Sequence, residues 1–277
     1  MGDEVYLNGK FVSYENAKVG IEDRGYQFAD GVYEVIIINN GKPFKFEEHF
    51  ERLQNSAEGL DIYYDNYEKL KESAYELLEK RGLEDATLYI QISRGTAPRS
   101  HAYPEGMTPN VVMKASKWDG HPPSNYEKGV RAITVSDERW SRCYIKSIAL
   151  LPNILAKKEA KRSGAYEAIQ IRDGFVTDGT SSNVFIVEGE KIITPPATNY
   201  LLNGITRQVI LEEAPKTGVK IEERSVSRKQ LLEADEVFLT GTTTEVMPVV
   251  SIDSKTIGNG EVGPISKKLY RHYRSLL

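Results

Sequence analysis

One cysteine, Cys143, serves all 277 residues, which excludes an internal disulfide and fits a reducing compartment. Long apolar runs are missing as well. The longest, Val35 to Ile38 and Ile148 to Leu151, fall far short of the roughly 20 residues that cross a bilayer. Nor is there an excess of positive charge: 36 Lys and Arg stand against 40 Asp and Glu, a net charge of −4. No basic field invites nucleic acid, and no basic amphipathic stretch invites a membrane surface. The opening Met1-Gly2-Asp3-Glu4 is acidic and runs straight into a strand-like segment, so no signal peptide is expected. Gly2 stands where a myristoylation signal begins, but Tyr6 occupies the position that signal reserves for Ser or Thr. Internal repeats and low-complexity segments are absent too. These absences lead us to expect a cytoplasmic protein with no nucleic-acid or membrane partner and no metal.

What is present is an ordinary globular composition, 40% apolar and 27% charged, on a chain long enough for one large domain or two moderate ones. Asn8-Gly9 predicts a tight hairpin between Val5–Leu7 and Phe11–Val12. The β-branched run Val32 to Ile38 predicts a strand, and Asn39-Asn40-Gly41 turns the chain toward Pro43 to Phe46. Glu47 to Leu60 reads as a helix with Phe50, Leu53, Ala57 and Leu60 on one face. A second helix is expected behind Asp65 as N-cap, with Glu68 at capping-box spacing, ending near Gly82. Thr87 to Ser93 and Asn110 to Ala115 read as strands separated by a long loop, Arg94 to Pro109. Residues 119–124, with Gly120, Pro122 and Pro123 and no periodicity, read as a linker between domains 1–118 and 125–277.

Beyond the linker we expect a strand over Val130 to Val135 and a helix over Pro152 to Ser163 closed by Gly164. Hairpins are expected at Asp173-Gly174 and between Val184–Val187 and Lys191–Thr194. A helix from about Gly204 stops before Pro215, and Ser227 with Gln230 caps a short one. Strands follow at Glu236 to Leu239 and Val246 to Val250, and a polar helix from Ile265 closes the chain. Strands outnumber helices and several are hairpin-linked. That argues for an α+β (mixed α/β) fold and against a purely parallel doubly wound sheet.

The stretch Trp140 to Ser147 is the best candidate for chemistry, with Lys146 as its reacting group. Most lysines here sit in polar runs, such as Lys157-Lys158, whereas Lys146 follows Tyr144-Ile145 and precedes Ile148 to Leu151. Desolvation disfavours an ammonium, and Arg139 and Arg142 would push the same way. A neutral lysine is a nucleophile able to form a Schiff base. The plain alternative is a lysine snorkelling from a half-buried strand end.

Three polar turns could serve an anion. Asn203, read as an N-cap, precedes the backbone donors of Gly204, Ile205 and Thr206 at a helix start. Thr240-Gly241-Thr242-Thr243-Thr244 follows a strand, with a glycine that lets backbone approach a ligand. Asp178-Gly179-Thr180-Ser181-Ser182-Asn183 offers the Asp178 carboxylate to a heterocyclic nitrogen. Each also reads as an ordinary cap or turn. Arg52 suits a phosphate, or else an i,i+4 pair with Glu48. Arg99 and His101, beside Pro98, suit a carboxylate, or else an exposed loop.

Several motifs in this order carry more than any one. They are Asp23-Arg24-Gly25-Tyr26-Gln27-Phe28 with Asp30-Gly31-Val32-Tyr33-Glu34-Val35, then Glu48-His49 with Arg52-Leu53, and Arg94-Gly95-Thr96 with Arg99 and His101. Arg139-Trp140 through Lys146-Ser147, Ser181-Ser182-Asn183-Val184-Phe185 and Gly204-Ile205-Thr206-Arg207 follow. Together they resemble the fold-type IV pyridoxal-phosphate enzymes, and within them the D-amino-acid aminotransferases, along nearly the whole chain. The resemblance implies a smaller N-terminal α/β domain, a larger C-terminal pseudo-barrel domain that binds pyridoxal 5'-phosphate, and a homodimer. It implies ping-pong transamination between a D-amino acid (alanine, glutamate or aspartate type) and a 2-oxo acid such as pyruvate or 2-oxoglutarate.

By the same match Lys146 forms the internal aldimine. Arg52, Ser182, Gly204, Ile205, Thr206, Gly241 and Thr242 hold the cofactor, and Tyr33, Arg99 and His101 take the substrate carboxylate. The last two reach in from the neighbouring subunit. Gly241 replaces the serine of many relatives and resembles the branched-chain L-specific ones. Asp178 replaces the family glutamate and is one methylene shorter. The alternatives are a branched-chain L-amino-acid or (R)-amine transaminase, an aminodeoxychorismate lyase, or a cofactor-free binding protein.

Overall fold

The computed structural model describes residues 4–277, so the opening 1–3, read above for a leader, lies outside the described residues. Among the described residues no helix is long and apolar enough to cross a membrane. The chain divides into two compact units. The first holds the described residues up to Asp119 together with Ile145–Ala149; the second holds Gly120–Tyr144 and Leu150–Leu277.

In the first unit, β1 (Glu4–Leu7) and β2 (Lys10–Ser13) form the expected hairpin. Asn8 and Gly9 both adopt positive φ, 48° and 87°, as a primed turn demands. A short helix α1 (Arg24–Phe28) leads into β3 (Gly31–Asn39), β4 (Lys42–Pro43) and two longer helices, α2 (Phe46–Glu58) and α3 (Tyr67–Arg81). Strands β5 (Ala86–Ser93) and β6 (Asn110–Lys117) complete an antiparallel sheet of order β2-β1-β6-β5-β3-β4. One face of β3 points Val32, Ile36 and Ile38 at Phe50, Leu53 and Ala57 of α2, and Leu70, Ala74 and Leu77 of α3 close the same core. Period-2 and period-3.6 patterns thus meet on one apolar layer.

The second unit runs through α4 (Pro123–Lys128), β7 (Val130–Ser136), α5 (Leu151–Arg162), β8 (Glu167–Arg172), β9 (Phe175–Gly179), β10 (Asn183–Glu188) and β11 (Lys191–Thr194). It continues through α6 (Ile205–Glu213), β12 (Lys220–Glu223), α7 (Arg228–Glu233), β13 (Glu236–Gly241), β14 (Glu245–Ile252), β15 (Lys255–Thr256) and α8 (Pro264–Arg274). The sheet order is β12-β11-β10-β13-β14-β7-β8-β9, with β15 on β14. Pairings are antiparallel except β11–β12, β14–β7 and β7–β8. The mixed α/β fold expected from sequence is the one observed.

Several local expectations need correction. The N-cap of α3 is Asn66, with no side-chain cap bond, because Asp65 instead accepts from Asn66 Nδ2. Pro123 and Ser124 belong to α4 and not to an irregular linker, proline being well suited to a first helical turn. Asp178-Gly179 ends β9, where Asp178 lies opposite Gln170, and is not itself the turn. The N-cap of α6 is Gly204, because Asn203 Oδ1 accepts from Arg207 Nη1. The capping box of Ser227 and Gln230 forms as read.

Candidate active site

Lys146 is placed by main-chain bonds to the first unit. Its N–H donates to Ser56 Oγ (3.1 Å) and its carbonyl accepts from Tyr33 N (3.0 Å), while Ile148 N donates to Gly31 O (3.0 Å). The segment lies against β3, with Ser147 bridged to Val32 and Ile145 in the core. Gly31 has no room for more: an added Cβ would sit 2.7 Å from Ile92 O. The Lys146 side chain, half-buried, lays its Nζ 4.4 Å from the centre of the Tyr33 ring. No carboxylate among the described residues pairs with it. A lysine against an aromatic face, with no counter-ion, is available for covalent chemistry.

Beside it stands an ion cluster that sequence reasoning missed. Glu34, fully buried on β3, accepts from Arg52 Nε (2.7 Å) and Nη2 (3.0 Å) and from His49 Nδ1 (2.7 Å). Arg52 therefore pairs with Glu34 and not with Glu48, which takes Lys45. Burial pushes the Glu34 carboxyl up, but Arg52 and His49 outweigh it and hold it well below the usual range. Burial pushes the His49 imidazole down despite Glu34 beside it. The available signal was the lone acid in the apolar run Val32 to Ile38.

Arg99 and His101 lie exposed on the loop after β5, against Phe28. Arg99 stands 4.9 Å from the ring centre and His101 meets the ring edge-on at 5.8 Å. Tyr33, Lys146, Arg52 and this loop thus all belong to the first unit.

In the second unit, buried Asp178 accepts from Asn183 Nδ2 (2.9 Å), Arg139 Nη1 (3.2 Å) and Leu202 N (3.3 Å). Burial pushes its carboxyl up to about 6, against the pull of Arg139, Leu202 N–H and Asn183. Arg139 also grips Asp137 through Nε (2.9 Å) and Nη2 (3.1 Å), so its charge is met by two carboxylates. Ser182 Oγ donates to Glu167 Oε2 (3.2 Å). Helix α6 starts behind Gly204, an N-cap that makes no side-chain cap bond. Thr206 is buried, and its hydroxyl hydrogen-bonds the Tyr273 hydroxyl of α8. Gly241 ends β13 and Thr242 opens the turn to β14, both partly buried.

An added Cβ at Gly204 would overlap Asn183 Oδ1. Gly204→Ala is therefore expected to displace Asn183, break its bond to Asp178 and cost about 1–3 kcal/mol, the usual range for overpacking. Urea unfolding of the variant without added cofactor checks this, and an unchanged midpoint would show that the site yields freely.

Taken unit by unit, the second offers a helix start suited to a phosphate and a buried carboxylate suited to a ring nitrogen, and the first offers an amine suited to an aldehyde. Residues 31–252 match the family model described as amino-transferase class IV. The D-alanine aminotransferase of Bacillus licheniformis is 47% identical over 268 residues, covering 96% of this chain and 94% of that one. The D-alanine aminotransferase of Staphylococcus epidermidis is 43% identical, covering 99% and 98%. Among solved structures, the T.th. branched-chain amino acid aminotransferase with pyridoxamine 5'-phosphate superposes with a TM-score of 0.93. It is 29% identical and the match covers 99% of this chain and 94% of that one. The enzyme of the same kind from Escherichia coli gives a TM-score of 0.92 at 28% identity, covering 100% and 94%. The chain belongs to the class IV aminotransferases, which work with pyridoxal 5'-phosphate.

Proposed function

We propose that the protein transfers the amino group of a D-amino acid, of the alanine, glutamate or aspartate type, to a 2-oxo acid such as pyruvate or 2-oxoglutarate. The observation that carries this reading is the Lys146 amine, unpaired by any carboxylate among the described residues and laid over Tyr33. The D-preference is supported by Arg99 and His101, which stand together on one loop, and by relatives more than 40% identical named for D-alanine. The branched-chain enzymes share the fold at lower identity.

Pyridoxal phosphate supplies an aldehyde that condenses with amines and a ring that accepts electrons from Cα. Lys146 anchors it and then moves the proton at the substrate Cα. The donors of Gly204, Ile205 and Thr206, with Arg52, Gly241 and Thr242, would hold its phosphate. Asp178, steadied by Arg139 and Asn183, would keep a proton on its ring nitrogen, and Ser182 holds the turn through Glu167. Tyr33, Arg99 and His101 fix the substrate carboxylate. With the carboxylate fixed and the base on one side, only one Cα–H can align for removal, which gives stereospecificity. We place the working unit as a homodimer in the cytoplasm, the first by family resemblance and the second because the chain has a single, unpaired cysteine.

Protein loaded with pyridoxal phosphate should lose its absorbance band when D-alanine is added and recover it with 2-oxoglutarate. A faster response to L-leucine would move the assignment to the branched-chain enzymes, and pyruvate formed without an amino acceptor would make it a lyase. Asp178→Glu is expected to tighten cofactor retention by up to about tenfold, the scale of a contact made directly in place of one through water. Equilibrium dialysis measures it, and retention and turnover both unchanged would remove any role for the shorter acid.

A further inference from the structure

The motif Asp23-Arg24-Gly25 through Asp30 has no place in the chemistry above, yet it is built into the first unit with unusual care. Asp23 caps α1 by accepting from Tyr26 N (3.2 Å) and also takes Ser93 Oγ (2.6 Å) and Asn110 Nδ2 (2.7 Å). At Gly25 a Cβ would lie 2.8 Å from Asp23 Oδ1 and 2.9 Å from Ser93 Cβ. This frame delivers Arg24, only 4% exposed, with Phe28 one turn on. The Arg24 guanidinium lies 4.6 Å from the Phe28 ring centre.

The guanidinium reaches the loop that carries Arg99 and His101. Arg24 Nη1 donates to Ser100 O (2.6 Å), Nη2 to His101 O (3.2 Å) and Nε to Asp30 Oδ2 (2.8 Å). The same Asp30 oxygen accepts from Arg94 Nε (2.8 Å). Arg94 in turn donates to Asp61 O (2.9 Å) and Leu60 O (2.7 Å), and its guanidinium stacks 3.7 Å from the Tyr103 ring centre farther along the loop. Were Arg24 present only to neutralise Asp30, it would be redundant, because Arg94 already does so. Its distinct work is the pair of loop carbonyls. A planar fork of five donors can serve an acid and two carbonyls at once, which a lysine cannot. A loop of this length without regular structure is loose unless tied down.

We propose that Arg24, braced by Asp30 and Arg94, is a positioning residue for substrate recognition: it fixes the backbone at Ser100 and His101 and so sets where Arg99 and His101 meet the substrate carboxylate. The inference rests on the assignment of Arg99 and His101 to that carboxylate, and it holds whichever subunit's substrate the loop serves. Its effect falls on binding of α-carboxylates, leaving cofactor attachment to residues elsewhere.

The test compares holoenzymes of the native chain, Arg99→Met and Arg24→Lys, reading KM and kcat for D-alanine, competition by propionate, and cofactor absorbance. For Arg24→Lys the expected result is normal absorbance, KM and the propionate inhibition constant raised about 10- to 100-fold, and kcat falling far less, the scale of an ångström-sized misplacement. A native KM in Arg24→Lys while Arg99→Met raises it would sink the positioning role and leave the carboxylate assignment standing. A native KM in Arg99→Met would remove that assignment and this inference with it. A fall in kcat equal to the rise in KM, with lost cofactor absorbance, would reduce Arg24 to scaffolding. Should Arg24→Lys not fold, the same readings are taken on Asp30→Asn, which weakens the brace that Arg24 and Arg94 share, and they decide the question by the same outcomes.

Discussion

Lys146→Ala is expected to abolish transamination, with a loss of at least about 10²–10⁴-fold, the contribution of a positioned proton-transfer group. Borohydride should fix the cofactor to the native chain and leave the variant unlabelled. The substitution separates chemistry from folding, because the bonds that place this segment are made by main-chain atoms. The Lys146 N–H on Ser56 Oγ and the Lys146 carbonyl under Tyr33 N both survive in alanine. A folded variant that turns over D-alanine at the native rate would end the assignment of this residue.

Arg52→Met is expected to produce the largest change in stability. Glu34 has no exposed side-chain surface, and Arg52 satisfies it through two nitrogens. Removing the guanidinium leaves a buried carboxylate with His49 Nδ1 and the Val35 N–H (3.3 Å) but no cationic partner, a class of change that costs about 3–5 kcal/mol. The pH dependence has a definite sign. The Glu34 carboxyl is held below its ordinary value of 4.5 in the folded chain, so its contribution is complete above that pH and is lost on acidification. The gap between native and variant in urea midpoint should be widest near neutral pH and narrow as pH falls below 4.5. A gap that stays constant or widens toward acid would place the effect on packing and not on the ion cluster. Cofactor retention, measured on the same samples, should also fall if Arg52 holds the phosphate.

How much of this was legible beforehand varies with the distance over which each feature is decided. The turns at Asn8-Gly9 and Asp173-Gly174 were readable because the left-handed conformations that those residues favour are all such turns need, and all four residues adopt them. The box at Ser227 and Gln230 is equally local. The caps at Asp65 and Asn203 missed by one residue because each side chain found a different partner, Asn66 in one case and Arg207 in the other. Strand β12, with its sequence Lys-Ile-Glu-Glu, carries no strand pattern of its own and exists through parallel pairing with β11.

The same division runs through the candidate site. Motif order pointed to Lys146, Arg52 and Asp178, but not to what holds them. Glu34 meets Arg52 across 18 positions, Arg139 meets Asp178 across 39, and Arg24 meets the Ser100 carbonyl across 76. A spacing rule reports on neighbours along a helix or strand; pairings of this kind are created by the sheet.

Residues 145–149 leave the sequence of the second unit, pack with the first and return, so the polypeptide passes from one unit to the other at 119/120, 144/145 and 149/150. No single cut releases both units whole. Halves exchanged between relatives at residue 120 would separate the pentapeptide of Lys146 from the strand it docks on, and each chimera would inherit a seam made by two ancestors. Such threading ties the two lobes into one unit of inheritance.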